Sequence, residues 1–455
     1  MQGFDRFSPN GFGVRVQRLS EQTLHLLPDW VRRPRSRPAP RVVHLGIGAF
    51  HRAHQAVVFD ELGWGVTAAS LRSPAVREAM APQDGLYSLV AGDEVLVIGA
   101  VREVLLDTPA LVARIAAPET RLVTLTVTEK GYLPGSRAIA ILAEALAQRR
   151  DGITIMSCDN LPKNGALLRD AVLAAAGDAA DWIAAHCAFP QTMVDRIVPA
   201  TEEADIAALA GRIGLEDRAM VKTEPFTQWV IEDRFAPGER PDFAAVGVEI
   251  AADIAPWEEA KLRLLNGAHS GLAYLGGLAG IAFVHEAIAT PGGRRFVEAL
   301  WDEAEATLTP PPGLDLAVYR AALLQRFANP ALQHRTVQIA MDGSQKLPQR
   351  LLAPIAVRLA RGEGIEALAL AVAAWMRWQS GRSDAGLVFT VDDPLARETA
   401  RRLAGLNDPA EQAIALLGID AIFPPQLAAD ARFQLAVIRQ LQRLMEQGAR
   451  SVLLP

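Results

Sequence analysis

Apolar positions in the first half of the chain fall into short β-branched runs separated by stretches of helical period. RVVHLGIG begins at Arg41 and ends in glycines, and AFHRAHQAVVFDEL follows with apolar residues three and four apart. GVTAAS, GDEVLVIG, RLVTLTVTEKG and GITIMSCDN repeat the strand pattern, with DTPALVARIAA and SRAIAILAEALAQRR as helical segments among them. Strands alternating with helices predict an α/β unit with a mostly parallel sheet, covered on both faces. Past about residue 250 the texture changes. PWEEAKLRLLN, RRFVEALWDEAEATL and ALALAVAAWMRWQ are rich in helix formers, and breaks such as ATPGG and TPPPG separate them. The expected organisation is a domain over 1–250 and a mainly α-helical domain over 251–455. No internal repeat is visible, which argues against a solenoid.

Composition narrows the function classes. Half of the 455 residues are apolar, enough for packed cores, and 46 Lys and Arg against 52 Asp and Glu leave a net charge of −6. Such a balance offers no basic excess for nucleic acid. The one basic run, RRPRSRPAPR from Arg32 to Arg41, is expected to be a solvated linker entering the first strand. Two cysteines, Cys158 and Cys187, exclude a disulfide framework and a four-thiolate metal site. The most apolar stretch, from Gly271 to Val284, contains four glycines and is shorter than the ~18 residues of a membrane span. The opening MQGFDRFSPN lacks the apolar core of a signal peptide, so a cytoplasmic, reducing location is expected.

Three sites can carry chemistry. Gly46-Ile47-Gly48-Ala49-Phe50-His51 follows the first strand and opens the first helix, where backbone amides can take a pyrophosphate. The fingerprint is incomplete, because His51 replaces the third glycine. The acid expected about 20 residues on is also missing. Ser70-Leu71-Arg72-Ser73 stands there instead, where Arg72 suits a 2′-phosphate and either serine a hydroxyl, leaving NAD and NADP both open. His51 and His54 lie three apart on one predicted helical face, but no nearby Cys or acidic group completes a zinc site, so no metal is expected. The third site is WEEAKLRLLNGAH. At ~100° per residue, Lys261, Glu258, His269 and Asn266 fall at roughly 0°, 60°, 80° and 140° on one side of a helix. The apolar run after His269 carries that helix into an interior, so this side is expected to line a cleft. No tyrosine has a lysine four residues later, so hydride-transfer chemistry here would need a lysine as acid/base.

The strings VHLGIGAFHRAHQA, TLTVTEKGY, IMSCDNLPKNG, TMVDRIVPA, EPFTQWVIEDRF, KLRLLNGAHSGLAYLG and QIAMDGSQKLPQRLL, in this order, resemble the long-chain mannitol dehydrogenase family of polyol and uronate dehydrogenases. The resemblance spans about residues 41 to 360, with a weaker helical continuation. It implies a Rossmann-type first domain, a helical second domain and NAD(P)-dependent, metal-free hydride transfer. Lys261 would be the general acid/base, whose pKa burial must lower, with Asn266 and Asn160 as amides on the reacting oxygen. His269 would bind the substrate hydroxyl, and Asp195 would support it. Gly46, Gly48, Ala49, Phe50 and His51, with Thr128 and Glu129, would line the cofactor site. Glu258, on the substrate side, resembles a glutamate that passes protons to the lysine.

Within the family, HRTVQIAMDGSQKLPQRLLAP is most similar to the hexuronate branch, which interconverts D-fructuronate and D-mannonate with NAD(H). Gln338 stands where mannitol 2-dehydrogenases resembling this chain have arginine, and Lys346 and Arg350 would meet a uronate carboxylate. The substrate is expected to be a small sugar acid, or in the alternative a polyol such as mannitol, arabinitol or sorbitol, and the protein a monomer. A non-catalytic dinucleotide sensor would have no need of Lys261, Asn266, His269 and Asn160 together.

Overall fold

A computed structural model of the chain describes residues 16–454. The opening segment read above for a signal peptide lies outside them. The chain divides into two compact units, the first ending at Ile254 and the second beginning at Ala255.

The first unit is built on five parallel strands: β1 (Pro40–Leu45), β2 (Gly65–Ala69), β3 (Val101–Leu105), β4 (Leu122–Leu125) and β5 (Thr154–Ser157). Their order is β3-β2-β1-β4-β5, so the direction of strand addition reverses between β1 and β4. In open α/β sheets a ligand crevice forms at the carboxyl ends of the strands beside such a reversal. Alternation puts Val42 and Leu122 in the core on one face, and Val43, Leu45, Val123 and Leu125 in the core on the other. Helices α1 (Ala49–Ala53) and α2 (Gln55–Glu61) follow β1, while α3 (Thr108–Ala116) and α4 (Arg137–Gln148) cover the second face. Each of the latter pair begins at a side-chain cap: Asp107 accepts from the Ala110 amide at 3.0 Å, and Ser136 from that of Ile139 at 3.3 Å.

Three expectations need correction. GDEVLVIG does form a strand, Glu94–Ile98, but it pairs antiparallel with Tyr87–Ala91 in a separate sheet. The edge strand β3 was missed because Arg102 and Glu103 interrupt its apolar alternation. The basic run is not a free linker either: Arg33 donates to the Leu24 and Leu27 carbonyls, and Arg37 to Gly99 O at 2.6 Å and to Glu21 at 2.7 Å. These bonds to main-chain oxygens tie the segment to the unit before β1 begins.

The second unit is helical, and the helices that matter here are α5 (Ala255–Ala260), α6 (Gly267–Leu278), α7 (Pro291–Glu305) and α8 (Glu366–Trp378). Helix α6 is apolar all round and buried along almost its whole length, packed against α7 and α8. Among the described residues no helix is long and apolar enough to cross a membrane.

Beneath the end of β1, His44 lies opposite Thr124 in the register of β1 and β4. Its Nδ1 meets Thr124 Oγ1 at 2.8 Å and its Nε2 meets Thr126 Oγ1 at 2.9 Å and Gly46 O at 3.2 Å. The carbonyl can only accept, so Nε2 carries the proton. His51 from α1 stacks on this ring with centroids 3.4 Å apart. Burial pushes the His44 pKa down to about 3 and holds that of His51 well below the ordinary value, with the neighbouring His44 adding to it. Both are therefore neutral in the folded protein, whereas the unfolded chain takes up protons below about pH 6.5. The sign is destabilising as pH falls, by up to about 1.4 kcal/mol per pH unit for each ring. Urea unfolding between pH 7 and 4.5 should show this loss, and His44→Asn should flatten it; a wild-type stability that stays level to pH 4.5 contradicts the assignment.

Candidate active site

At the carboxyl end of β1 the chain turns through Gly46, whose φ is +102°. A Cβ there would stand 2.1 Å from the Thr126 carbonyl oxygen, so both torsion and contact require glycine. The turn is further held by Thr126 Oγ1, which donates to Gly46 O at 2.7 Å. Gly48 is exposed at the start of α1, and a Cβ on it would meet nothing closer than 3.9 Å. Its bare backbone leaves the close approach that a pyrophosphate needs. Ala49 and Phe50 are partly exposed beside it, and Thr128 and Glu129 are exposed beyond the end of β4. His51 differs: its ring is fully buried against His44, so only its backbone could meet a ligand. That stacking also explains how the third glycine position tolerates an imidazole.

Local geometry separates the two histidines of the first helical segment. The helix breaks at His54, whose φ of −125° and ψ of −87° are not helical, so His51 and His54 do not share a face. His54 Nε2 lies 2.9 Å from Gln228 O. Among the described residues no group of three His, Cys, Asp or Glu is placed to hold a metal. Past β2, Arg72 Nη2 reaches Thr128 Oγ1 at 3.2 Å and Val127 O at 3.4 Å. Asn160 is exposed just after β5, and Asp195 is buried at the end of the strand Thr192–Asp195, opposite Gln228.

In the second unit, Lys261 to Asn266 do not continue α5 as an α-helix. They form a π turn, in which the Gly267 amide donates to Leu262 O five residues back. The wider turn advances less than 100° per residue, so Lys261 and Asn266 come nearer to alignment than the 140° expected above. Side chains support the distortion: Trp301 Nε1 donates to Leu264 O at 2.7 Å, and Arg263 reaches Thr307 O at 2.8 Å and Glu259 at 3.1 Å. A second π turn spans Pro348–Leu352, where Ala353 N–H donates to Pro348 O. The two turns touch at backbone level, since a Cβ on Gly267 would lie 3.0 Å from Arg350 O.

This contact brings together much of the second-unit constellation. Lys261, Asn266 and His269 are all buried, at 7%, 9% and 8% exposure, while Glu258 is half-buried. Asn266 Nδ2 has no hydrogen-bond partner and is an available donor. Arg350 Nη1 donates at 3.0 Å to Ser270 Oγ, next in sequence to His269. Burial pushes the Arg350 pKa down to about 10, which leaves it cationic at neutrality. Lys346 is anchored by the carbonyls of Met341 and Ile339. The His269 pKa is held well below its ordinary value by burial first, then by His334, Arg350, Arg326 and Lys346. A neutral imidazole beside guanidinium and ammonium groups suits recognition of a hydroxyl near an anion.

Sequence reasoning missed His334 and Phe327, which pack on His269 with ring centroids 4.8 and 5.1 Å away. His334 begins the HRTVQIAMDG string, which was the available signal. It also missed Thr126, Tyr132 and Asp159, all inside motifs quoted for other residues.

The sequence model of the mannitol dehydrogenase Rossmann domain matches residues 40–244, and that of the mannitol dehydrogenase C-terminal domain matches 253–445. The D-mannonate oxidoreductase of Escherichia coli K12 is 40% identical over 93% of this chain and 96% of its own length. A mannitol 2-dehydrogenase of Pyrenophora tritici-repentis is 37% identical over 90% of this chain and 80% of its own. The solved Pseudomonas fluorescens mannitol 2-dehydrogenase, a ternary complex with NAD and D-mannitol, is 36% identical with a TM-score of 0.86, covering 96% of this chain and 99% of that one. Two matched domain models and relatives aligned over nearly the full length show that this chain belongs to the mannitol dehydrogenase family.

Proposed function

We propose that the protein is an NAD-dependent oxidoreductase that interconverts D-fructuronate and D-mannonate. The observation that carries this reading is the set of cations around a neutral His269, namely Arg350, Arg326 and Lys346, which a sugar acid would use and an uncharged polyol would not. The mannitol 2-dehydrogenase relatives favour the polyol alternative. The exposed Gln338, in place of the arginine that the resemblance associates with mannitol 2-dehydrogenases, supports the hexuronate branch.

The glycine turn after β1 fits a dinucleotide, because Gly46 and Gly48 together keep side chains away from the approach. Gly46, Gly48, Ala49, Phe50, Thr128 and Glu129, with the His51 backbone, would hold it. Arg72 is engaged with Val127 and Thr128, which favours NAD over NADP. When held there, NADH would supply a hydride for the ketone carbon at C5. Lys261, as an ammonium, gives its proton to the carbonyl oxygen as the C–O π bond breaks, and takes that proton back in alcohol oxidation. Asn266 donates an amide N–H bond to the same oxygen, where negative charge develops, and the family resemblance gives Asn160 of the first unit that role as well. His269 positions a neighbouring hydroxyl and Glu258 returns protons to Lys261, while the family resemblance gives Asp195 of the first unit a supporting role. Lys346 and Arg350 pair with the carboxylate. The protein is proposed to work as a cytoplasmic monomer.

Lys261→Ala should lower kcat by roughly 10²–10⁴ while NADH binding, read by fluorescence titration, persists. Near-native turnover in that variant contradicts the role. Arg350→Met and Lys346→Met should each raise KM for fructuronate by about tenfold or more while leaving fructose kinetics nearly unchanged. An equal effect on both substrates favours the polyol reading.

A further inference from the structure

Thr128 has φ of 65° and ψ of 172°, a region that is essentially reserved for glycine and is especially unfavourable for a β-branched side chain. The residue is exposed, so packing does not force this shape. Three attachments do. The peptide before it is held by Asp159, whose carboxylate accepts the Val127 amide at 2.9 Å and the Thr128 amide at 2.8 Å. The peptide after it is held by Gly131 N–H, which donates to Thr128 O at 2.8 Å, and its hydroxyl receives Arg72 at 3.2 Å. Asp159 is itself buried and fixed: Tyr132 donates its hydroxyl at 2.5 Å, and Asn164 Nδ2 donates to the Asp159 carbonyl at 3.0 Å.

We propose that Asp159 is a positioning residue that clamps Thr128 in this strained conformation and so shapes the cofactor-facing end of β4. The inference rests on the NAD reading above. Its reach is set by its neighbours: two residues before Thr128, Thr126 supports the Gly46 turn, and immediately after Asp159 comes Asn160. One carboxylate thus ties the dinucleotide turn to the proposed amide donor. Strain persists only where its surroundings over-determine it, and it concentrates at functional sites.

The test compares NADH binding by fluorescence titration in the full-length wild type, Asp159→Asn, Thr128→Gly and the double variant. Asp159→Asn turns one acceptor into a donor facing a main-chain amide, so Thr128 relaxes and the NADH Kd should rise about tenfold or more. Glycine takes the same torsions without a clamp, so the double variant should return to within about threefold of Thr128→Gly alone. Binding by Asp159→Asn within about twofold of wild type overturns the proposal, as does a double variant no better than Asp159→Asn. If Asp159→Asn is insoluble, a soluble, NADH-binding double variant supports the clamp and an insoluble one overturns it. A wild type that does not bind NADH overturns both readings, whereas a binding wild type with an unaffected Asp159→Asn overturns this one alone.

Discussion

The carbonyl of Thr126 and the backbone of Gly46 approach so closely that no side chain fits between them, and the first unit's candidate site follows from that contact. It exists because β1 and β4 are neighbours at the point where strand order reverses. Both strand ends must then turn away from each other in little space. Glycine resolves this on one side with a positive φ. On the other side, Thr126 bonds to the turn and Thr128 takes its left-handed torsion two residues later. His44 lies beneath, bonded to both strand ends and neutral because it is buried. A charged group at that point would have to be desolvated at the cost of several kcal/mol, so a neutral, fully bonded imidazole is the stable solution.

The second unit reaches its chemistry by a different distortion. A regular helix would spread Lys261 and Asn266 across one side, whereas the π turn draws them closer and leaves main-chain groups that need other partners. Trp301 supplies one of them from α7 by donating to Leu264 O, while Arg263 ties the turn to Thr307 and Glu259. The second π turn begins at Pro348, which has no N–H to give to a regular helix. Because the two turns pack backbone to backbone at Gly267, the proposed acid/base and the proposed carboxylate ligand Arg350 lie on two directly packed elements.

The α/β class, the parallel sheet and the helical second half were legible because periodicity records which faces are buried. β1, β2, β4 and β5 carry near-continuous apolar runs, as strands covered on both faces must. Where burial is one-sided or local geometry departs from the ideal, that signal fails. β3 carries Arg102 and Glu103 at the sheet edge, AFHRAHQAVVFDEL hides a break at His54, and WEEAKLRLLNGAH gives no sign of a π turn. The candidate chemical residues could be named by type and motif, but not their layout. His51 shows the gap, since a position that reads as cofactor-facing is occupied by a ring turned inward onto His44. Asp159 shows the converse: an acid inside a familiar string has its role only through the torsion of Thr128, which no spacing rule encodes.

On the proposed reading, hydride transfer needs both a set of residues suited to a dinucleotide and a set suited to an anionic sugar. Nicotinamide absorbance of the purified protein at neutral pH tests this most directly, with NADH and NADPH each offered D-fructuronate, D-tagaturonate and D-fructose. Rapid oxidation of NADH is expected with D-fructuronate and little with D-fructose. Preference for D-fructose, or no oxidation with any pair, would contradict that reading.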